Sequence, residues 1–328
     1  MSGPSVGGTG ERWLTPGVAI RKLYEKVEPN LVMMDPTGPI AGPIPEDKGS
    51  FMFLYDDDGA SGDDKKQTAP RFEVGADLPR LDFGLPSVSA TLMDSKGFEI
   101  AVPRKIVRDG VAGMAAIERY FTRAGYVLAQ QIEAAQVATI QADAGASTSA
   151  TPEAVWSDDS ATPVTDLMNF AKEMDIPGRS YRMTDALVNK AGFYELKEYL
   201  NFVDGTQWDA ERPVGQMINQ DTIYVSQADM TVHKVMDGMT DGSVIGYDRN
   251  NKGAELHTYS DPMFSLGSAS VKYPTVVDGK EVIKTAPNYG LHYYEYMEDE
   301  SKNTIMQFWF ENKTVVTESK ALMYDTGI

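Results

Sequence analysis

Residues 111–140 read VAGMAAIERYFTRAGYVLAQQIEAAQVATI, and this stretch decides the fold class more than any other. Its apolar residues recur at spacings of three and four, as on one face of a helix: Met114, Ile117, Phe121, Ala124, Leu128, Ile132 and Ala135. The pattern predicts one helix over about residues 111–141, roughly 45 Å long. A mean helix has only about 11–12 residues. The sequence therefore predicts a long helix that organises the chain around it.

The segments on either side of this helix change character. Residues 98–102 form an alternating apolar run that ends at Pro103, which predicts a strand. Downstream, Thr162 and Pro163 predict the start of a helix that ends before residues 177–178. Thr184 and Asp185 occupy positions suited to the N-cap of a further helix over residues 186–200.

The last third of the chain is predicted to be mostly strands and loops. The clearer strands are residues 223–225, 232–235, 291–297, 304–310 and 314–317. Helices lie in the middle of the chain and strands toward both ends, without a βαβ alternation. The predicted fold class is α+β.

The first hundred residues resemble a set of arms more than an independent core. Prolines and glycines crowd residues 35–45, which excludes a helix there, although Pro16 can begin a short one. Residues 51–55 predict a strand with apolar residues on both faces, residues 56–66 a charged tip, and residues 88–92 a return strand. An isolated two-stranded arm is marginal in water, so we expect a neighbouring subunit to cover it.

Composition excludes several classes of protein. The chain has 30 Lys and Arg against 48 Asp and Glu, a net charge of −18, which disfavours tight binding to nucleic acid. It has no cysteine, which excludes disulfides, thiolate catalysis and cysteine-based zinc sites. It also contains no run of 18 apolar residues, so we expect no membrane-spanning segment.

The sequence carries no specific catalytic or metal-binding motif. No P-loop, dinucleotide fingerprint or GxSxG elbow is present, and His233, His257 and His292 have no metal-ligand spacing. The loop that begins at Asp248 matches a calcium loop only in part and is better read as a turn. The acidic cluster from Asp56 to Asp64 could hold a cation but is more simply a solvated tip. We therefore predict no catalytic residue, no cofactor and no metal.

The order of these segments resembles the major capsid proteins of tailed viruses, which have the Hong Kong 97-like (Johnson) fold. The similarity extends by pattern over about residues 45–200 and continues more weakly to residue 328. The segments that carry it are residues 45–53, 69–71, 88–92, 98–103, 104–109, 111–140, 154–157, 165–167, 177–179 and 181–199.

The resemblance implies an α+β capsid fold with an N-terminal arm, an E-loop β-hairpin, a long spine helix, a P-domain and an A-domain. Its implied domains are 1–44 for the arm, 45–97 for the E-loop, 98–179 for the P-domain with its spine helix, 180–285 for the A-domain and 286–328 for returning P-domain strands. E-loops would overlap neighbouring subunits, with Phe51, Phe53 and Tyr55 near that interface.

The implied function is a virion structural protein. The chain would self-assemble as hexamers and pentamers into an icosahedral head that encloses double-stranded DNA without sequence-specific binding. Assembly would take place in the host cytoplasm, with a portal, decoration proteins, and a separate scaffolding protein or none as partners. Two alternatives stay open: the shell of an encapsulin-type nanocompartment, and a carboxylate-based hydrolase without a linear motif.

Overall fold

The computed structural model describes residues 16–34, 37–55, 87–103, 106, 111–144, 154–158, 160–175, 181–202, 214–235, 239–261, 263–265, 270–277, 280–298 and 303–328. Within these ranges the chain forms four α-helices, a five-stranded sheet, a seven-stranded sheet and two separate two-stranded sheets. The predicted α+β class is confirmed.

The helices are α1 (Pro16–Val27), α2 (Val111–Asp143), α3 (Pro163–Met174) and α4 (Lys190–Tyr199). The predicted long helix is confirmed as α2, which has 33 residues. Its apolar stripe is buried along the length that includes Phe121, Leu128 and Ile132. The helix expected after Thr162 is α3, with Pro163 as its first residue.

The strands are, in chain order, β1 (Ile40–Glu46), β2 (Ser50–Tyr55), β3 (Ser87–Leu92), β4 (Asp94–Val102), β5 (Asp185–Val188), β6 (Asn201–Phe202), β7 (Val214–Asn219), β8 (Thr222–Val225), β9 (Met230–Lys234), β10 (Ser243–Tyr247), β11 (Ala254–Tyr259), β12 (Ser270–Val277), β13 (Lys280–Pro287), β14 (Leu291–Met297), β15 (Thr304–Val316) and β16 (Leu322–Thr326).

The five-stranded sheet packs on α2 and is built around β15. This strand pairs antiparallel with β4 on one side and with β14 and then β11 on the other, and β1 pairs parallel with β11. The prediction of two strands at residues 304–310 and 314–317 was wrong, because β15 runs through without a break. The intervening Asn312 pairs with both Asp94 and Thr258, so neighbours on both sides hold this polar segment extended.

The seven-stranded sheet has the order β16-β10-β5-β9-β8-β7-β6. The predicted helix start at Thr184 and Asp185 was wrong: Asp185 begins β5, and α4 is capped by Asn189, whose side chain accepts a hydrogen bond from the Gly192 amide at 3.0 Å. Burial explains the difference, since every residue of β5 is buried between β9 and β10. Tertiary pairing overrides the local capping signal.

Two cores hold these layers together. The first joins α1 and α2 to the five-stranded sheet, and Phe121 packs edge-on against Phe308 in it, with ring centroids 5.4 Å apart. The second joins α3 and α4 to the seven-stranded sheet through residues such as Phe170 and Phe193. The N-terminal helix α1 packs on the rest of its own chain, because Ile20, Leu23 and Tyr24 are buried in the first core.

A glycine permits the close approach of α1 to α2. A Cβ added at Gly125 would lie 2.5 Å from the Cβ of Lys26, which is nearer than two such atoms can approach. Nearby, Lys22 forms an ion pair with Glu118 across the same helix contact. Gly125, which weakens α2 as an isolated helix, therefore sets the distance between the two helices.

Replacing Gly125 by alanine is expected to lower the free energy of unfolding by about 1–3 kcal/mol through overpacking against α1. Helix propensity alone predicts the opposite sign, a gain of about 1 kcal/mol. Urea unfolding of the two proteins measures the difference. Gly49→Ala is the matched control, because a Cβ at that position would meet nothing within 4 Å. A gain in stability for Gly125→Ala would show that the helices do not touch there.

Candidate functional site

The β2–β3 hairpin carries the largest exposed apolar side chains among the described residues of the first hundred. Its strands pair with each other and with neither large sheet. Three residues share one face of it: Met52 is 73% exposed, Leu54 58% and Leu92 70%. Exposed Ala90 pairs with Met52 on this face. An exposed apolar face of this kind is a candidate contact surface.

The residues predicted at a subunit interface lie on the opposite face of the hairpin. Phe51 is only 5% exposed, and its ring stacks on the imidazole of His257 with centroids 4.0 Å apart. Phe53 is half-buried, with its ring 6.1 Å from that of Phe51. Tyr55 ends β2, and its side chain lies outside the described residues. Their place at an interface stays a prediction.

Sequence reasoning did not single out Met52, Leu54 and Leu92. The signal in the sequence is the unbroken apolar run of residues 51–55, which places apolar side chains on both faces of a strand. One face of such a strand packs on its own chain, and the other face stays exposed unless another molecule covers it. Only the tertiary structure determines which face is which.

A buried ionic cluster centres on Asp185 at the start of β5. This carboxylate is fully buried and accepts hydrogen bonds from His233 Nε2 at 2.9 Å, Arg249 Nε at 3.1 Å and the Thr184 hydroxyl at 2.8 Å. A second hydrogen bond from Arg249 makes that pair bidentate. Burial raises the pKa of Asp185, but the hydrogen bonds from His233, Arg249 and Thr184 outweigh it and hold the pKa below its usual value.

This cluster borders a cleft of about 450 Å³ that Thr222, His233 and Lys234 help to line. The order Asp185, His233, Thr222 resembles a hydrolytic triad, but the Thr222 hydroxyl lies 3.5 Å from His233 Nδ1, too far for a strong hydrogen bond. Arg249 also neutralises the carboxylate that would stabilise an imidazolium. The geometry favours a structural role that ties β5, β9 and the loop after β10 together.

The fully buried His292 packs against Trp309 with ring centroids 5.1 Å apart and planes 7° apart. Its Nε2 accepts a hydrogen bond from the Asp261 amide at 3.0 Å, which identifies that nitrogen as unprotonated. Burial lowers the pKa of His292 to about 4, against smaller opposing effects of Gly290 and Asp261. The side chain is therefore a neutral packing residue at neutral pH.

Acid is expected to destabilise the protein through His292. The unfolded imidazole binds a proton near pH 6.5 and the folded one only near pH 4, so stability present above pH 6.5 is lost as pH falls through this window. The full loss is roughly 3 kcal/mol. Urea unfolding at pH 7 and pH 4 measures it against His292→Phe, which keeps a ring against Trp309. Equal pH dependence of the two proteins would contradict this assignment.

The remaining candidates for metal binding give no site in the described part of the chain. No group of three or more His, Cys, Asp or Glu there has an arrangement that could hold a metal ion. Asp248 accepts hydrogen bonds from the Arg182 and Asn250 amides, so it organises the connection between β10 and β11. The acidic cluster from Asp56 to Asp64 lies outside the described residues. Of the described helices, none is long and apolar enough to cross a membrane.

Comparisons by sequence and by structure give different answers. No protein-family model matches the sequence. No curated protein matches it either. Solved structures do match over almost the whole chain, which means that the fold is shared where sequence similarity is too low to detect.

Two solved structures match this chain with a TM-score of at least 0.50. The crystal structure of a virus-like particle from Pyrococcus furiosus covers 93% of this chain and 97% of its own, at 12% identity and a TM-score of 0.51. The capsid of the native GTA particle covers 99% of this chain and 94% of its own, at 11% identity and a TM-score of 0.50. The SrpI encapsulin from Synechococcus elongatus PCC 7942 matches at 9% identity over 87% and 84% of the two chains, with a TM-score of 0.47.

The chain therefore has the fold of capsid-type structures. In the first two comparisons the match covers almost all of both aligned chains, so it concerns the whole architecture and not one shared motif. At this level of identity it concerns the fold alone. The resemblance inferred from the order of arm, hairpin and long helix is confirmed at that level.

Proposed function

We propose that this chain is a major capsid protein that self-assembles as hexamers and pentamers into an icosahedral head around double-stranded DNA. The observation that carries the proposal is the end-to-end likeness of its fold to a virus-like particle protein and to a particle capsid. Permanent shells are built through large apolar contacts between copies. The exposed face of the β2–β3 hairpin supplies a surface of this kind.

Each part of the fold has a proposed place in the shell. The β2–β3 hairpin is the E-loop, α2 is the spine helix, and the five-stranded sheet with α2 forms the body of the P-domain. The seven-stranded sheet is the core of the A-domain, which would meet other copies at the local axes. The last strand, β16, lies in the range 286–328 that was expected to return to the P-domain, but it pairs with β10 of this second sheet.

The hairpin is proposed to cover a neighbouring subunit with Met52, Leu54 and Leu92. Phe51 and Phe53 would act from the opposite face by fixing the hairpin to its own sheet and by bordering the same interface. Tyr55 is proposed to extend this contact toward the tip. These roles follow from the two-faced apolar composition of β2 and from the burial of Phe51.

The acidic composition suits a container for DNA. With a net charge of −18, a wall of many copies repels the phosphate backbone and leaves the packaged genome free to move. The chain would hold DNA by enclosing it, without sequence-specific contacts. A scaffolding protein, a portal and decoration proteins are proposed partners in assembly within the host cytoplasm.

Electron microscopy of the purified recombinant chain, with its mass by size-exclusion chromatography, tests the proposal. Closed shells, tubes, sheets or hexameric rings are expected. Nucleic acid in shells isolated from the native source would support the virion over a nanocompartment, whereas an enzyme cargo would support the encapsulin-type alternative. A discrete monomer or dimer at every concentration and salt, also with a co-expressed scaffold, would overturn the shell proposal and reopen the search for a carboxylate-based active site.

A further inference from the structure

The five-stranded sheet has one side toward α2 and one side away from it. Phe308 of β15 points into the first core, where it meets Phe121 of α2. Because side chains alternate along a strand, the adjacent Gln307 points the other way, together with its paired neighbours Glu99 and Tyr294. We name this outward surface of β4, β15 and β14 the acidic face; its members are Glu99, Ala101, Tyr294, Tyr296 and Glu298.

The acidic face combines carboxylates with aromatic surface. Tyr296 is 37% exposed, and its ring stacks on that of the half-buried Tyr294 with centroids 5.9 Å apart. Glu99 and Glu298 are exposed beside these rings. Desolvation, followed by the negative charges of Glu99 and Glu298, raises the pKa of Tyr296. Aromatic rings next to carboxylates attract ammonium groups, so this surface suits a partner that carries lysines.

The β12–β13 hairpin carries the opposite charge. Its two strands contain one glutamate and three exposed lysines, Lys272, Lys280 and Lys284, in a chain whose net charge is −18. Among these lysines, Ile283 is 71% exposed and pairs with the exposed Pro274. Lysines on an edge strand disfavour the addition of a further strand, so a partner would meet side chains here and not the backbone. An exposed apolar centre with a charged rim is typical of a contact with protein.

Within one chain, the hairpin and the acidic face lie on opposite sides of the five-stranded sheet. Val271 and Tyr273 of β12 are buried in the first core, on the side of the sheet where α1 and α2 pack. The Tyr273 hydroxyl donates a hydrogen bond to Glu28, directly after α1, and so holds the base of the hairpin there. The sheet separates the two surfaces, so the hairpin can reach an acidic face only on another copy of the chain.

We propose that the β12–β13 hairpin of one copy docks on the acidic face of a second copy. Ile283 lies against the two stacked tyrosines in this contact, and the lysines of the hairpin pair with Glu99 and Glu298. The two surfaces are different parts of the chain, so each copy offers one of each and the contact repeats from copy to copy. The inference rests on the proposed self-assembly and names one contact through which the copies associate.

Cross-linking between two different single-cysteine chains tests the contact. The chain has no cysteine, so each introduced thiol is unique. Full-length Ile283→Cys and Ala101→Cys proteins, mixed under assembly conditions and treated with a short bis-maleimide, are expected to give a covalent pair joined at residues 283 and 101, which mass spectrometry identifies. In the matched control, Val155→Cys replaces Ala101→Cys, because Val155 is 49% exposed near α3. This control is expected to give at least about tenfold less product.

Charge reversal tests whether the lysines and carboxylates meet. Lys280→Glu with Lys284→Glu in the Ile283→Cys chain is expected to slow the cross-link at least about tenfold, because like charges then face each other. Glu99→Lys with Glu298→Lys in the Ala101→Cys chain is expected to restore most of the lost rate. All four side chains are exposed, so folding of the subunit is expected to be unaffected.

The outcomes separate this inference from the shell proposal. Particles that form normally without a link between residues 283 and 101 would overturn the inference and leave the shell proposal standing. The same link between chains that never form particles would support the inference and count against the shell. Ile283→Cys chains that link only to each other, or lysine variants whose sole defect is lost binding of double-stranded DNA, would assign the hairpin to another partner and overturn the inference.

Discussion

Replacing Asp185 by alanine is expected to lower the free energy of unfolding by about 2–3 kcal/mol, because it removes a buried carboxylate that accepts hydrogen bonds from Arg249, His233 and Thr184. Arg249 and His233 would lose their shared acceptor, and β5 would lose its link to the loop after β10. Urea unfolding followed by circular dichroism measures the effect. Because β5 is an interior strand of the seven-stranded sheet, the loss is expected to reach the whole second core.

Glu118→Ala is the matched control for this substitution. Glu118 forms its ion pair with Lys22 on a surface where both side chains are more than a third exposed, and such pairs contribute at most about 1 kcal/mol. Asp185 also adds acid sensitivity: its folded pKa is depressed, so its contribution is complete above about pH 3.9 and is lost as pH falls below that value. Equal losses for Asp185→Ala and Glu118→Ala would refute the structural role of the cluster.

Placing charges on the exposed face of the β2–β3 hairpin is expected to abolish shell formation. Leu54→Glu combined with Leu92→Glu puts two carboxylates where the proposed neighbour covers apolar surface, and an unpaired buried charge costs several kcal/mol at each of the many equivalent contacts. Both side chains are more than half exposed in the subunit, so its folding is expected to be unaffected. Particle yield by electron microscopy and the thermal midpoint of the subunit measure the two effects separately.

The control changes the net charge equally at another surface. Thr165→Glu with Lys172→Gln also shifts the charge by two, on exposed positions of α3. We expect this pair to assemble like the wild type. If Leu54→Glu with Leu92→Glu still yields normal shells, the hairpin face does not lie in an interface. If both variants lose assembly, repulsion between acidic subunits explains the result and the hairpin carries no special role.

The elements that sequence reasoning identified correctly have strong local signals. The helix α2 follows from seven apolar residues at helical spacing, and α3 from Pro163 followed by an amphipathic pattern. In such segments the local signals and the tertiary packing favour the same helix, so the pattern alone predicts it. The order of these elements was also sufficient to indicate the capsid-type fold.

The errors occur where non-local pairing outweighs local preference. Thr184 and Asp185 are good capping residues, yet they precede β5, because burial between two neighbouring strands stabilises Ala186 and Leu187 more than a helix would. In β15, the polar Asn312 and Lys313 looked like a break. Asn312 stays extended because β4 and β11 pair with it from opposite sides, and Lys313 because it pairs with His257 of β11.

By itself, the sequence determined the class of the protein: an acidic α+β chain without cysteine, with a long helix, an apolar strand run over residues 51–55 and no catalytic motif. Only the tertiary structure decided which face of the hairpin is buried, and that His257 lies between Glu46 and Glu255 beneath Phe51. The reason is physical. Composition and periodicity are properties of neighbours along the chain, whereas a contact between residues 51 and 257 exists only after the sheets have paired.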